Sequence, residues 1–360
     1  MFASTDDRRA FLKRQLSVCG CLWGLDATVG CLVDGRLAVG RLAVGADEPS
    51  IRVEIKQAIE RGLGYLARVQ NEDGSFGMGP MSRNVAVCSL AGLSMLSSGS
   101  FPGRGPYGRN VKRVVEYILS NAQSSGFLHQ PASTSHGPMY EHGFATLFLA
   151  EAYGMADMKE LRPKLAQAVK LIIDTQNKEG GWRYQPERRD ADISVTICQV
   201  MALRAARNAG IHVPNETIDR CVDYVKRCQN DDGGFSYMLS MPGQSRFPRS
   251  AAGVVALYSA GIYDSPEIRR GIDYLRMHQP GKGRNDPDEY FYYGHYYAIQ
   301  AMWHAGEQTW REWYSAVSDQ LLKRQREDGM WFDAVSPAYG TAMACLILQT
   351  PVSSLPIFQK

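Results

Sequence analysis

Two carboxylates stand two residues apart at Asp190 and Asp192, directly before an apolar run that starts at Ile193. A carboxyl group beside apolar chain can donate a proton if burial keeps it protonated. It can equally cap the N-terminus of the helix that the apolar run predicts. A cap at the positive end of a helix is expected to lower the carboxyl pKa and to remove the acid at neutral pH. Both interpretations stay open at this stage.

Aromatic and imidazole side chains offer a setting for such an acid. Tyr293 and Tyr339, with the Tyr-rich segment 290–297, supply ring faces of the kind that stabilise a cation. His142 and His295 can share a proton with a carboxylate, although a histidine in an apolar segment more often serves as a structural hydrogen-bonding residue. The segment 290–297 can also be read as packing aromatics alone.

Basic side chains near the carboxylates suggest a further binding role. Arg188, Arg189 and Arg249 can clamp a diphosphate group, because guanidinium groups form paired hydrogen bonds to such anions. The alternative is that they are solvated loop charges, which contribute little when exposed. The nearer pair can be neutralised by neighbouring acidic residues.

The elements that must position these residues follow a repeat of about fifty residues. Six segments share a turn that begins with glutamine and ends with Gly and an aromatic residue, although the fifth, His278-Gln279-Pro280-Gly281, is degenerate and lacks the aromatic residue. The intervals between successive glutamines are 53, 53, 53, 50 and 46 residues. The glutamines are Gln70, Gln123, Gln176, Gln229, Gln279 and Gln325.

Each repeat predicts a pair of helices. Before Gln70, the residues Ile55, Ile59 and Leu63 share one helical face, as in an amphipathic helix. After each turn comes a second helix that is more apolar and richer in small residues. These second helices are predicted at residues 85–96, 144–153, 193–206, 251–260, 297–304 and 341–348. Six outer and six inner helices would close a ring and leave no end repeat that needs a cap.

The sequence therefore predicts an all-α fold, a toroid of six helical hairpins over residues 50–360. Its inner helices run parallel, so their N-termini gather at one end of the ring. The carboxylates and the other chemical residues lie at or just before these N-termini. Helix N-termini carry partial positive charge and unpaired N–H groups.

The turn motif Gln-x-x-Asp-Gly-Gly/Ser-Trp/Phe resembles that of the prenyltransferase and squalene cyclase repeat family. The resemblance implies an (α/α)6 barrel whose central cavity binds an isoprenoid or similar apolar chain. Asp190-Ala191-Asp192 is similar to the Asp-x-Asp-Asp motif of class II terpene cyclases, whose middle Asp protonates an alkene. The resemblance gives that role to Asp192, and His142 or His295 is a candidate partner for this acid.

The chain departs from the family pattern in ways that bear on its chemistry. The third Asp of the motif is Ile193, and one toroid stands where squalene–hopene cyclases have two domains. Protein prenyltransferases place a zinc-binding Asp-x-Cys at this turn, and Asp192 replaces the cysteine here. Zinc–thiolate chemistry is therefore not expected, and the prediction is no cofactor. A divalent metal on Asp190, Asp192 and His295 stays open if the three converge.

Composition limits the classes of partner. The net charge is +3, and neither a basic stripe nor an acidic tail is present, so no nucleic-acid partner is expected. No uninterrupted apolar run reaches the roughly 18 residues of a transmembrane helix. Peripheral contact with a membrane stays open for a protein that takes an apolar ligand.

The first 45 residues differ from the repeats. Residues 7–13 resemble a bacterial twin-arginine export signal, and a moderately apolar stretch and Ala43-Val44-Gly45 follow. Asp26 interrupts that stretch, which is unusual for a signal. The prediction is an exported, periplasmic protein, and the alternative is a disordered extension on a cytoplasmic one.

Three functional hypotheses follow. The leading one is a protein that binds an isoprenoid in the lumen, with cyclase-like chemistry at Asp192. The second is a binding or scaffold toroid without catalysis. The third is a carbohydrate lyase or hydrolase with Tyr140, His142, Arg249 and His295 around an open mouth. Fold alone does not separate them, because one fold hosts several chemistries.

Overall fold

The structure is a computed structural model that describes residues 30–33, 36–39, 51–77, 79–133, 137–156, 158–281 and 290–359. The chain divides into two compact units, Met1–Arg52 and Val53–Lys360. In the first unit, strands β1 (Gly30–Val33) and β2 (Arg36–Val39) pair antiparallel, with Gly30 opposite Val39. The export-like segment 7–13 lies outside the described residues.

The described part of the second unit contains twelve α-helices. The first helix of each repeat is buried along one side, and the second is buried over most of its length. The outer helices are α1 (Val53–Val69), α3 (Gly108–Ser120), α5 (Leu161–Thr175), α7 (Asn215–Arg227), α9 (Pro266–Arg276) and α11 (Glu307–Arg324). The inner helices are α2 (Val85–Ser97), α4 (Pro138–Ala152), α6 (Ile193–Asn208), α8 (Phe247–Ser259), α10 (Phe291–Ala305) and α12 (Pro337–Gln349).

The inner helices form a closed ring. Each contacts the next in chain order, and α12 returns to contact α2. The outer helix α1 also packs against α11 and α12, so the last repeat meets the first. The predicted toroid of six helical hairpins is confirmed. No helix in the described ranges is both long and apolar enough to cross a bilayer.

The glutamine of the turn motif links neighbouring repeats in four of the six turns. The Gln176 side-chain amide donates to Gly180 O in its own turn and to Thr217 O in the next outer helix, both at 2.8 Å. In the last repeat, Gln325 donates to Gly329 O at 3.1 Å and to Ala58 O of the first helix at 2.9 Å. Gln70 and Gln229 make the same pair of bonds, so this side chain forms four joints of the ring, including the one that closes it.

The motif glycine serves both the turn and the joint. Gly180 and Gly329 have φ of 103° and 93°, in the left-handed region that side chains disfavour. A Cβ on Gly180 would stand 2.1 Å from Arg220 O, and a Cβ on Gly329 would stand 2.4 Å from Arg61 O. Glycine is therefore required by conformation and by the close approach of the next outer helix.

Three inner helices begin at a polar side chain that accepts backbone N–H groups. These are Asn84 before α2, Asp192 before α6 and Ser336 before α12. The inner helices run parallel, so their N-terminal ends define one opening of the ring, which we call the mouth. The carboxylates predicted from the sequence lie there.

Candidate active site

Asp192 caps the inner helix α6 at the mouth. Its Oδ1 accepts a hydrogen bond from Val195 N at 2.8 Å, and its own N–H donates to Trp182 O at 2.9 Å. The side chain is 0% exposed. The second oxygen, Oδ2, is buried and meets no hydrogen-bond partner. The predicted helix cap is therefore present, and it involves only one of the two carboxylate oxygens.

Burial dominates the titration of this carboxyl group. Loss of water raises the pKa of Asp192 to about 6, against the lowering effects of the Val195 N–H and of Arg183. The sequence-based expectation that a cap lowers this pKa is wrong in its net direction. The cap does stabilise the charged form, but removal of the whole side chain from water costs the charged form more.

Arg183 connects the two carboxylates. Its Nη1 bonds to Asp190 Oδ2, and its Nε lies 3.9 Å from Asp192 Oδ2. Asp190 is 45% exposed at its side chain, whereas Asp192 is buried. The two carboxylates therefore differ in role: Asp190 holds the arginine at the surface, and Asp192 faces it from the interior.

Two tyrosines connect Asp192 with the surface of the protein. The Tyr184 and Tyr237 hydroxyls are hydrogen-bonded to each other. The Tyr237 hydroxyl also lies close enough to Asp192 to lower the pKa of that carboxyl, although Oδ2 has no partner of good hydrogen-bond geometry. Tyr184 is half-buried. These two hydroxyls are the polar groups that lead from the buried acid towards solvent.

Aromatic side chains of other inner helices line the same opening. Tyr140 of α4 lies 6.3 Å from the Tyr184 ring, and the Tyr293 hydroxyl of α10 donates to Ser194 O at 3.3 Å. Tyr140, Tyr293 and Tyr339 are half-buried. We define the mouth cluster by six residues: Arg183, Asp192, Tyr140, Tyr184, Tyr237 and Tyr293.

Deeper in the ring, aromatic side chains meet across the lumen. Phe144 of α4 and Tyr296 of α10 come from opposite inner helices, and their ring centroids are 6.5 Å apart. The Tyr297 hydroxyl lies 3.4 Å from Cys198 Sγ of α6. Tyr296 and Tyr297 are 1% and 0% exposed. At this level the interior is occupied by side chains, in contrast to the half-buried tyrosines nearer the mouth.

The two predicted histidines lie away from the mouth cluster. His142 accepts a hydrogen bond from Leu128 N at Nδ1 and bonds to Ala168 O through Nε2, both at 3.1 Å. Burial lowers its pKa to about 4, so it stays neutral and structural. His295 packs against Phe247 and against Trp313 of the outer helix α11. These contacts are backbone groups for His142 and aromatic rings for His295, so we assign neither as the partner of Asp192.

The predicted basic residues are bonded to other groups of the protein. Arg188 bonds to Asp174 O at the end of α5, and Arg189 pairs with Glu187 at 2.9 Å. Arg249 donates to Phe235 O at 3.0 Å and to Gln244 O. Among the described residues, Arg183 is the guanidinium that pairs with the buried carboxylate of Asp192.

The carbohydrate and metal hypotheses need residues that would converge at the mouth. Of the four proposed sugar-cutting residues, Tyr140 belongs to the mouth cluster, while the other three make the separate contacts given above. In the described part of the chain, no three His, Cys, Asp or Glu residues lie close enough to hold a metal ion. Asp190 is instead bonded to Arg183.

A polar surface cavity of about 500 Å³ lies at the turn of the first repeat. Its lining shares no residue with the mouth cluster, and its walls carry the Asp73–Arg83 ion pair at 3.4 Å. It offers no buried acid and no aromatic wall.

Sequence reasoning did not find Arg183, Tyr184 and Tyr237 as site residues. A signal for two of them was present: Tyr184 and Tyr237 are 53 residues apart, each two positions after the motif aromatic of its repeat. Equivalent positions in neighbouring repeats lie side by side at the mouth. The repeat alignment could therefore have paired these tyrosines, whereas the approach of Arg183 to Asp192 depends on tertiary structure.

Two family models match the toroid. The prenyltransferase alpha-alpha toroid domain matches residues 52–167, and the squalene-hopene cyclase C-terminal domain matches residues 146–295. The predicted resemblance to the prenyltransferase and squalene cyclase repeat family is confirmed.

Individual proteins extend this likeness. A squalene–hopene cyclase from Bradyrhizobium diazoefficiens is 30% identical over 135 residues, which are 35% of this chain and 20% of that enzyme. The chain thus covers 20% of the length of that relative. A type II terpene cyclase from Scytonema, in complex with geranylgeranyl dihydroxybenzoate, superposes with a TM-score of 0.60 at 14% identity, over 83% of this chain and 97% of that one.

A carbohydrate enzyme has the same overall architecture. An alpha-1,6-mannanase from Salegentibacter, in complex with alpha-1,6-mannotetrose, also has a TM-score of 0.60, at 8% identity over 82% of this chain and 98% of that one. At such identities these superpositions show the fold alone. The chemistry has to be argued from the mouth cluster.

Proposed function

We propose that this toroid, whose repeats match the squalene–hopene cyclase and prenyltransferase models, binds an isoprenoid chain at the mouth and protonates one of its alkenes through Asp192. The observation that carries the proposal is the buried carboxyl group of Asp192, with one oxygen free of hydrogen bonds and tyrosine rings around it. The isoprenoid-bound neighbour from Scytonema supports an apolar ligand for this architecture.

Burial keeps the proposed acid, Asp192, protonated at a higher pH than an exposed Asp. With a pKa of about 6, Asp192 is mostly protonated below pH 6 and carries its proton on about a tenth of the molecules at pH 7. An ordinary exposed Asp would be almost fully ionised at both pH values. Protonation of the alkene then leaves a carboxylate 3.9 Å from Arg183 Nε, which stabilises the new charge as it forms.

The tyrosine rings stabilise the other product of proton transfer. A carbocation on the isoprenoid is attracted to the electron-rich ring faces, as cations are in general. Tyr140 and Tyr293 lie at the mouth, and burial, with a contribution from the Asp192 charge, raises the pKa of both well above the ordinary value. The phenols therefore stay neutral, and they do not react as phenolates with the cation.

The proton balance of the cycle closes through the tyrosine pair. Asp192 gives its proton to one alkene carbon, a second alkene attacks the cation, and a C–C bond forms. The final cation loses a proton to water, so that the product is an isomer of the substrate. A proton then returns from solvent through the Tyr184 and Tyr237 hydroxyls to Asp192 Oδ2.

The test is incubation of the purified protein with farnesol, geranylgeraniol and squalene, followed by gas chromatography with mass spectrometry. The expected product is a cyclic isomer of unchanged mass, formed faster at pH 5.5 than at pH 8 because the acid is loaded at the lower pH. Asp192→Asn should reduce the rate about 100-fold or more, as loss of a general acid does.

Asp231→Asn is the matched control for this assay, because Asp231 is an exposed acidic residue of the fourth turn and lies outside the mouth cluster. It should leave product formation unchanged. If all three compounds come back unaltered across this pH range, or if Asp192→Asn remains fully active, the assignment of Asp192 as the acid is wrong.

A second candidate function is a binding toroid without catalysis. The observation in its favour is the contact of Phe144 and Tyr296 across the ring, which fills the interior with side chains. Under this alternative, the three compounds bind but are not converted, and Asp192→Asn leaves their affinity unchanged. Equilibrium binding measured beside the product assay separates the two candidates.

A further inference from the structure

The C-terminal tail crosses the end of the ring opposite the mouth. After α12 it bonds to the end of α2: Ser354 N and Oγ donate to Ser97 O at 3.4 Å and to Leu96 O at 3.0 Å. The short helix Pro356–Phe358 then contacts α6. In the ring, α6 is the inner helix opposite α12. The tail therefore spans the far opening from one side to the other.

The tail side chains turn into the ring. Leu355, Ile357 and Phe358 are 1%, 3% and 5% exposed. The Phe358 ring stands edge-on to Tyr296 of α10, with centroids 6.1 Å apart and planes at 85°. Tyr296 in turn contacts Phe144 of α4. Three aromatic rings from three separate elements thus meet at one level of the lumen.

This level lies close beneath the mouth. Tyr296 is the sixth residue of α10, so it stands about 7.5 Å below the start of that helix at 1.5 Å per residue. Above it, Tyr140 and Tyr293 are half-buried, whereas Tyr296 itself is 1% exposed. The accessible part of the lumen therefore ends at the aromatic level that Phe358 supports from below.

We propose that Phe358 forms the floor of the lumen and sets the length of isoprenoid chain that it accepts. The inference rests on the proposed function, because it takes the occupant to be an isoprenoid. A chain that enters at the mouth extends downward until it meets Tyr296 and Phe358, and each added isoprene unit needs further depth. The tail contributes a length limit that the six repeats alone do not.

The test measures binding of geraniol, farnesol and geranylgeraniol, which differ by one isoprene unit at each step, to the full chain by native mass spectrometry or fluorescence quenching. In Phe358→Ala, the affinity for geranylgeraniol relative to geraniol should rise at least tenfold over wild type. Phe358→Leu, which keeps an apolar contact and shortens the side chain, should give a smaller rise. Phe332→Ala removes a ring that is 56% exposed and serves as the control.

Thermal melting first identifies the variants that fold. Phe358→Leu keeps the test decisive if Phe358→Ala does not fold, because a smaller side chain at the floor must still shift the preference towards longer chains. Suppose that wild type binds at least one alcohol and that a folded variant keeps the wild-type length preference. The role of Phe358 as the floor of the lumen is then wrong, and the proposed function still stands. Wild type that binds none of the three alcohols overturns both.

Discussion

At the scale of single residues, Asp192 shows two opposing effects on one carboxyl group. The cap hydrogen bond from Val195 N favours the ionised form, and complete burial favours the neutral form. Burial wins because the cap satisfies one oxygen only and the other meets no hydrogen-bond partner. A residue that looks like an ordinary helix cap in the sequence is therefore poised to hold a proton.

The raised pKa predicts how stability depends on pH. Below about pH 3 the carboxyl is neutral in both the folded and the unfolded chain. From about pH 3 to pH 6 the unfolded chain loses its proton first, so the free energy of unfolding falls, by about 3 kcal/mol above pH 6 for a pKa shift from 3.8 to about 6. Asp192→Asn still caps the helix and avoids this loss. Urea unfolding should find the variant within about 1 kcal/mol of wild type at pH 4 and up to about 3 kcal/mol more stable at pH 8.

Asp231→Asn is again the control and should change stability by less than about 0.5 kcal/mol at either pH, as exposed substitutions usually do. A constant difference between Asp192→Asn and wild type from pH 4 to pH 8 would show that the carboxyl is not titrating in this range.

Tyr237 gives a second prediction at this scale. Its hydroxyl lowers the pKa of Asp192, so Tyr237→Phe should raise that pKa further above about 6. Tyr184→Phe keeps the Tyr237 hydroxyl in place and should raise the pKa less. Infrared titration of the carboxyl band, assigned by its loss in Asp192→Asn, measures both. Equal shifts in the two variants would mean that Tyr237 does not act directly on the carboxyl group.

The sequence predicted part of this site. The position of Asp192 at a helix start followed from the apolar run after it, because a cap depends on local chain alone. The sign of its pKa shift did not follow, because burial is a property of the assembled ring. His142 likewise appears chemically capable in the sequence, and only the backbone groups of Leu128 and Ala168 show that both ring nitrogens are occupied.

At the scale of elements, the motif glutamine is the joint between repeats. Gln325→Ala removes the bonds to Ala58 O and Gly329 O, and it should cost about 1–3 kcal/mol at about 0.5–1.5 kcal/mol for each hydrogen bond. Gln279, in the degenerate fifth turn, makes one exposed contact at 3.3 Å to Glu312 O. Gln279→Ala should therefore cost less than about 0.5 kcal/mol. Urea unfolding measures the free energy of unfolding of both variants. Equal losses of stability would show that the Gln325 side chain does not stabilise the contact between the last and the first repeat.

Element boundaries were predicted less well than element order. The inner helices of the second and sixth repeats were predicted from residues 144 and 341, but they begin at Pro138 and Pro337. Proline at the first helical position needs no hydrogen bond for its missing N–H and has a suitable φ. Periodicity does not register such a start, because proline and the polar residues beside it interrupt the apolar pattern.

At the scale of the whole molecule, the toroid is a repeat protein whose two ends meet. In an open array the terminal repeats unfold most readily, since each lacks one neighbour. Here α1 packs against α12, and Trp331 of the last turn lies against Gly62 of α1, where an added Cβ would stand 2.6 Å from the indole. We call this contact between α1, α12 and Trp331 the closing seam. It should couple the unfolding of the first and last repeats as strongly as that of repeats adjacent in sequence.

Trp331→Ala tests that coupling. Trp331 is 0% exposed and its Nε1 donates to Leu321 O at 2.8 Å, so the loss should be about 3–5 kcal/mol. Because the indole supports both sides of the seam, hydrogen–deuterium exchange should quicken in α1 as well as in α12, although the two lie at opposite ends of the ring's sequence. Phe332→Ala, at the next residue and 56% exposed, should leave exchange in both helices unchanged. If exchange became faster only in the α11–α12 hairpin, the first and last repeats would be in contact but would not unfold cooperatively.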